Sequence, residues 1–379
     1  MPGTVFDQPP TVQQKLDTTS WQWQMQNRAR SMEDLFQLRP ELRGGALEVE
    51  IRSRSEAFRA AAEQFRFAVT PYYLSLASDK ELCGIWKQIL PDLRESRDEL
   101  FHRPDPLAEE EHMPVPGLTH RYPDRALWYL SHNCAVYCRF CMRKRKVSRG
   151  ESTPGEQDRQ RALDYIRSHP EIHEVILSGG DPLSQSDEVL GYCLEQLRSI
   201  EHLASLRIHT RMPVTCPQRI TSEFCSALEK WGPITVITHF NHPAELSPLA
   251  LDAAERLRKT GCVLLNQSVL LAGVNDSVEV QKSLNLGLLK AGIKPYYLHQ
   301  CDEVQGVSHF RVNLEEGLNL AKAIRGRIPG PAIPQYVIDL PGGGGKVPVD
   351  SSYFLNRDFH RPVFENYAGL RFYPVGDRS

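Results

Sequence analysis

Residues 126–141 read Ala126-Leu-Trp-Tyr-Leu130-Ser-His-Asn-Cys134-Ala-Val-Tyr-Cys138-Arg-Phe-Cys141, an apolar run that breaks directly into three closely spaced cysteines. The run has the length and bulk of a buried strand. The thiols are separated by three and then two residues, so only a loop wrapped around something can turn all of them inward. Three thiolates suit three irons of a [4Fe–4S] cube, leaving the fourth iron open to an outside ligand. Structural zinc asks for four protein ligands, and no further Cys or His follows nearby at matching spacing.

Outward from this stretch, short apolar runs at 126–130, 174–177, 206–209, 234–238, 262–265 and 295–298 alternate with amphipathic stretches at 160–168, 187–200, 222–230, 249–259 and 278–291. Such alternation predicts βαβ units around a parallel sheet. No G-x-G-x-x-G follows the first run, so the pattern suits an α/β fold of the partial (β/α)6 TIM-like barrel type more than a dinucleotide-binding sheet. Polar residues fall just after the runs, where the mouth of a barrel would lie. Upstream, Ser31-Met-Glu-Asp-Leu-Phe-Gln-Leu and Glu56-Ala-Phe-Arg-Ala-Ala-Ala-Glu-Gln-Phe carry helical spacing, and Met113-Pro-Val-Pro-Gly closes that region. The expected organisation is a helical N-terminal region (1–115), the barrel (116–328), and a turn-rich C-terminal segment (329–379) with a strand candidate at 335–338.

The 379 residues carry 45 basic and 47 acidic side chains, a formal charge of -2, which favours neither nucleic acid nor an anionic membrane and points to a small-molecule partner. Residues 1–15 are polar and Pro-containing, and no apolar run is long enough to span a bilayer. A cytoplasmic protein is expected. Nine cysteines, an odd number scattered along the chain, argue against a disulfide framework. Cys83, Cys193, Cys216, Cys225, Cys262 and Cys301 read as small core residues.

Two further motifs follow strand candidates. Ser178-Gly179-Gly180-Asp181 allows close backbone approach and ends in a carboxylate able to accept from an ammonium, although alone it is an ordinary strand-to-helix turn. Asp339-Leu-Pro-Gly-Gly-Gly-Gly345-Lys346-Val-Pro is not a nucleotide phosphate loop, since the first glycine of that motif would fall on Leu340 and Val347 stands where Ser or Thr must bind magnesium. Four glycines before a lysine suit an amine that must swing, as in Schiff-base exchange on pyridoxal phosphate. A plain flexible loop is the alternative.

The C-x-x-x-C-x-x-C arrangement after a first barrel strand resembles the radical S-adenosylmethionine superfamily, and Ser178 to Asp181 resemble its turn for the methionyl amino group. From about Trp21 to Tyr373 the chain resembles the lysine 2,3-aminomutase family, most specifically in Thr70-Pro-Tyr-Tyr-Leu-Ser-Leu, Pro116-Gly-Leu-Thr-His-Arg-Tyr-Pro-Asp-Arg125, Thr238-His-Phe-Asn-His-Pro243, Asn266-Gln-Ser-Val-Leu-Leu, Pro295-Tyr-Tyr-Leu and Pro341-Gly-Gly-Gly-Gly-Lys346. The resemblance implies exchange of an amino acid's 2-amino group with a hydrogen on C3. It also implies a [4Fe–4S] cluster on Cys134, Cys138 and Cys141, reusable S-adenosylmethionine, and pyridoxal phosphate on Lys346.

By the same resemblance Arg121, Tyr122 and Arg125 hold the cofactor phosphate, and His239, Gln267 and, more weakly, Arg211 lie near S-adenosylmethionine. Arg143 clamps the substrate carboxylate, while Asp302 and Asp339 receive the distal ammonium of lysine. Two acids facing one cation select a basic side chain. Arginine remains a candidate substrate beside lysine, and supply of β-lysine for elongation factor P modification a candidate role. Read without the family, each of these acids is also a turn former or cap. Arg121 and Arg125 read equally as surface charges, and the basic run Lys144, Arg145, Lys146 and Arg149 as a solvated face or a nucleic-acid patch. A flavodoxin- or ferredoxin-like reductant and a homo-oligomer are expected. There are two departures: no cysteine follows Cys301, which puts a structural zinc between subunits in doubt, and His299 stands where tyrosine is expected beside the cofactor ring.

Overall fold

The computed structural model describes residues 20–96, 104–149, 154–350, 353, 355–356, 363–366 and 368–373; the polar stretch 1–15 lies outside them. Among the described residues the main sheet has nine strands, hydrogen-bonded in chain order. They are β1 (Leu118–Tyr122), β2 (Arg125–Ser131), β3 (Glu174–Gly179), β4 (Ser205–His209), β5 (Thr235–Thr238), β6 (Val263–Leu270), β7 (Lys294–Gln300), β8 (Gln335–Leu340) and β9 (Gly345–Pro348). Strands β2 to β8 run parallel to one another. β1 and β9 pair antiparallel to β2 and β8 at the two ends. The tyrosine hydroxyl of Tyr122 in β1 accepts from the backbone N–H of Lys346 in β9 at 2.7 Å, so the sheet curls until its first and last strands meet.

Helices cover the outside, and four of them are started by a side chain that takes up a free backbone N–H. Ser186 caps the helix Asp187–Arg198, Thr221 caps Ser222–Trp231, Ser247 caps Pro248–Lys259 and Ser277 caps Val278–Lys290. The first of these buries Leu190, Cys193, Leu194 and Leu197, a helical stripe turned to the sheet. β3 is buried along almost its whole length, as expected of a parallel strand with both faces covered. β6 instead alternates: Leu264, Asn266, Ser268 and Leu270 are buried, while Leu265, Gln267 and Val269 are half-buried. Gln267 and Val269 border a cavity, so the lumen here is open rather than filled.

All six apolar runs are parallel strands, and the candidate at 335–338 is a seventh, β8, which carries the sheet across the 328/329 boundary. Two strands had no apolar run to betray them. β1 reads Leu-Thr-His-Arg-Tyr, mostly polar, at one end of the main sheet, and β9 consists of Gly345, Lys346, Val347 and Pro348. Both exist as arms of tight hairpins, paired to the strand next to them in the chain. β6 is also longer than its apolar run, because the buried Asn266 amide bonds to Thr238 and to Phe240 backbone, satisfying its polar atoms.

Residues 20–96 form short helices packed against the barrel. The basic run is not a solvated face: Lys144 and Lys146 are buried, and Lys144 donates to Glu95 Oε2 at 2.9 Å. Of the six isolated cysteines, five are buried and Cys83 is half-buried.

Candidate active site

The loop that leaves β2 at Ser131 carries Cys134, Cys138 and Cys141, and is held by distant parts of the chain. The Arg28 guanidinium donates to Asn133 Oδ1 at 3.0 Å and to the Cys134 carbonyl. The Tyr137 N–H donates to Ala68 O, and the Arg139 N–H to Gln88 O. Buried Arg139 donates twice to buried Glu95, at 2.9 and 2.6 Å, and Lys144 completes the cluster. The N-terminal helices thus form a sleeve around the cysteine loop.

Among the described residues no three His, Cys, Asp or Glu side chains converge on one metal ion, the three thiols included. A cube differs from a single ion in this respect, since each thiolate caps a different iron. Burial and the Asp181 charge push the Cys134 thiol well above its usual range, and burial with Cys138 pushes Cys141 up to about 11. Such thiols become ligands only where a cationic centre offsets their charge. Arg211 supplies one cation, donating to Cys138 Sγ at 2.7 Å while also held by Glu245, Gln88 and Tyr73.

Ser178, Gly179, Gly180 and Asp181 close β3 beside this loop, and three of them have structural duties there. A Cβ on Gly179 would lie 2.3 Å from the Ser131 carbonyl oxygen, and one on Gly180 2.6 Å from that of Asn133. These glycines are required for packing against the cysteine loop itself. The Asp181 carboxylate accepts from Leu183 N, Thr210 Oγ1 and Arg211 N at 3.0, 2.8 and 2.7 Å. It ties the ends of β3 and β4 together instead of standing free for an ammonium, and burial pushes it up to about 6.

The lysine sits on the opposite edge. Gly342, Gly343 and Gly345 have φ of 66°, 81° and 84°, values that L side chains rarely adopt. The glycines therefore make a tight connection from β8 into β9 rather than a flexible swing, and set Asp339 in register with Lys346. Lys346 Nζ donates to Asp339 Oδ2 at 2.5 Å and lies 3.1 Å from His299 Nδ1. Arg121 reaches Asp339 at 3.8 Å, and Arg121 and Arg125 both stack on Tyr122 at 5.0 Å. Arg125 is also forked onto Asp124.

Two cavities join these halves. The first is bordered by the three thiols, the turn at 178–181, Arg211, His239, Gln267, Arg143, Asp302 and Asp339. The second is bordered by Arg121, Tyr122, Arg125 and Lys346. Met142, Arg143, His209, Gln267, His299 and Asp339 border both, forming a common wall. Every residue expected at the site from sequence therefore lines one cavity or the other.

The wall is electrostatically tense. Burial together with the Asp339 charge pushes the half-buried Asp302 carboxyl up to about 7. Burial acts the same way on Asp339, but the adjacent His299 ring and the Lys346 charge win and hold it well below the usual carboxylate range. Arg143 donates to Glu109 through Nε and Nη2, the latter at 2.7 Å, and lies over the Tyr129 ring. Glu109 and His209 were not foreseen. Glu109 sits in the irregular segment ahead of β1, and its role exists only through Arg143. His209 closes β4, a polar strand end in the very position where site residues gather; its Nε2 is buried with no hydrogen-bond partner among the described residues, as is that of His299.

Thiols on one loop, a lysine amine facing them across a shared wall, and unsatisfied polar atoms in that wall suit two organic cofactors beside a cluster. The fold and site define a radical S-adenosylmethionine enzyme, and the Radical SAM superfamily model matches residues 128–284. A model described as Lysine-2,3-aminomutase matches residues 321–375. The chain is 43% identical over 352 residues to L-lysine 2,3-aminomutase of Methanococcus maripaludis, covering 92% of this chain and 80% of the relative. It is 41% identical over 352 residues to that of Fusobacterium nucleatum, again covering 92% and 80%. Glutamate 2,3-aminomutase of Clostridioides difficile is 37% identical over 354 residues, covering 93% and 82%. The chain belongs to the lysine 2,3-aminomutase family.

Proposed function

We propose that this chain is an L-lysine 2,3-aminomutase, interconverting L-lysine and L-β-lysine by 1,2-migration of the amine. The observation that carries this reading is the pair of adjoining cavities, with Asp339 in the wall between the thiols and the lysine and Asp302 on the thiol side of it. When bound, the cluster and S-adenosylmethionine supply hydrogen-atom chemistry, and pyridoxal phosphate supplies a conjugated ring to carry the migrating amine.

The chain's residues divide the remaining work. Cys134, Cys138 and Cys141 hold the cluster; Ser178, the backbone of Gly179 and Gly180, Asp181, Arg211, His239 and Gln267 shape the adjoining S-adenosylmethionine site. Lys346 would carry pyridoxal phosphate, and the guanidinium groups of Arg121 and Arg125, beside Tyr122, would hold its phosphate. Arg143 takes the substrate carboxylate and must share its fork with Glu109. A distal ammonium is attracted by Asp302 and Asp339, whose mutual repulsion supports the choice of a cationic side chain over glutamate.

Among the described residues no helix is long and apolar enough to cross a membrane. Cytoplasmic location, a flavodoxin- or ferredoxin-like reductant and a homo-oligomer belong to this proposal. The test is anaerobic incubation of reconstituted protein with S-adenosylmethionine, reductant and either lysine, arginine or glutamate, followed by chiral analysis of the products. β-Lysine is expected as the main product. Faster conversion of arginine or glutamate would overturn the substrate assignment.

A further inference from the structure

His299 stands on β7, next to β8, with Lys346 on β9 beyond it. Its Nδ1 lies 3.1 Å from Lys346 Nζ and 3.3 Å from Asp339 Oδ2, while Nζ and Oδ2 are themselves 2.5 Å apart. These three groups have fixed capacities. An ammonium only donates and a carboxylate only accepts, so with lysine charged the imidazole Nδ1 accepts from Nζ, and the ring proton resides on Nε2. That Nε2 is buried, without a partner among the described residues, in the wall common to both cavities. The side chains are sequestered, at 15% exposure for His299 and 8% for Asp339.

An amine attacks a carbonyl carbon only through a free lone pair, so Lys346 must first lose a proton. Asp339 is closer but is the weaker base, being held below the usual carboxylate range. Burial, then the Lys346 charge, hold His299 in its neutral, accepting form. If the proton moves to Nδ1, the new N–H points at Asp339, which stabilises the imidazolium. We propose that His299 is the base that deprotonates Lys346 when it condenses with its aldehyde cofactor, with Asp339 as the group that orients and stabilises it. The idea rests on the reading of Lys346 as the pyridoxal phosphate lysine.

The step balances without oxidation or reduction. One proton passes from the ammonium to Nδ1, and the freed lone pair forms a C–N bond to the carbonyl carbon. That proton then returns to the former carbonyl oxygen together with a second from the nitrogen, the oxygen leaves as water, and an N-protonated C=N bond remains. The groups facing the imidazole are Lys346 from β9, Asp339 from β8, Arg121 from β1 through Asp339, His209 from β4, His239 at the end of β5 and, on its own strand, the Tyr297 ring, edge-on at 5.6 Å. All but Asp339 are neutral or cationic, which opposes a resident positive charge on the ring.

The test uses full-length protein stripped of pyridoxal phosphate, then mixed with it while the visible Schiff-base band is followed against pH. In the native protein the loading rate is expected to fall as acid protonates the imidazole, below the usual histidine range. His299→Phe is expected to load about 100-fold more slowly at neutral pH. Its rate should then climb steadily with alkali, following the lysine alone. Added imidazole should restore a large part of the rate in His299→Ala, an effect that a purely structural role would not produce; this variant also serves if the Phe substitution folds poorly. Loading of both variants at the native rate with the native pH profile would overturn the proposal. Lys346→Ala separates the two ideas: a borohydride-trappable band surviving in it would remove the parent reading, and the proposal with it.

Discussion

The two halves of the site are built on opposite plans. The cysteine loop is pinned from several directions by buried charge and by backbone contact with Gly179 and Gly180. The Lys346 hairpin is a sheet edge, with Leu340 and Val347 exposed and open space around Gly342. A cluster that stays in place suits a closed socket, whereas an amine that exchanges partners suits an edge whose contacts are concentrated at one side-chain head. The difference teaches that two adjoining cavities are built differently, pinned by buried charge at the thiols and lightly held at the Lys346 amine.

The largest effect should come from Glu95→Ala, which leaves Arg139 and Lys144 buried without their carboxylate. A loss of roughly 3–5 kcal/mol is expected in denaturant unfolding, with iron content falling in parallel. Gly180→Ala forces a Cβ against the Asn133 carbonyl and should cost about 1–3 kcal/mol, again with loss of iron on reconstitution. Gly342→Ala meets no atoms but strains a φ of 66°, so about 1 kcal/mol is expected, with iron content intact and only pyridoxal phosphate loading impaired. If Gly342→Ala also sheds iron, the two halves are one mechanical unit and the contrast fails.

A pH trend at Asp302 completes the series. Its folded carboxyl titrates near 7, above the unfolded value, so the folded state holds the proton more tightly. Stability from this group is present below the ordinary carboxylate range and is lost as pH rises to about 7. Asp302→Asn should therefore match the native protein in melting temperature near pH 4 and gain on it by pH 8; a constant difference would contradict the repulsion between the two acids.

Much of this contrast was legible in the chain. Cys134, Cys138, Cys141 and Lys346 announce themselves because their chemistry demands unusual local spacing, and six strands because burial on both faces demands apolar runs. Glu95 and Glu109 did not, since a carboxylate in a mixed-charge segment acquires meaning only from Arg139 or Arg143, far along the chain. Close backbone approach at Gly179 and Gly180 was read from the sequence, though not that the cysteine loop is what comes close; at 342, 343 and 345 the requirement is a backbone angle, which composition cannot tell from flexibility.

On the proposed reading, the acid pair Asp302 and Asp339 makes substrate capture a proton-counting event. With the Asp302 carboxyl titrating near 7, the empty site carries a fraction of a proton at neutral pH, and a cation arriving beside Asp339 drives that fraction into the solvent. Calorimetric heats of lysine binding should then vary with the ionisation enthalpy of the buffer, and affinity should tighten as the medium is made more alkaline.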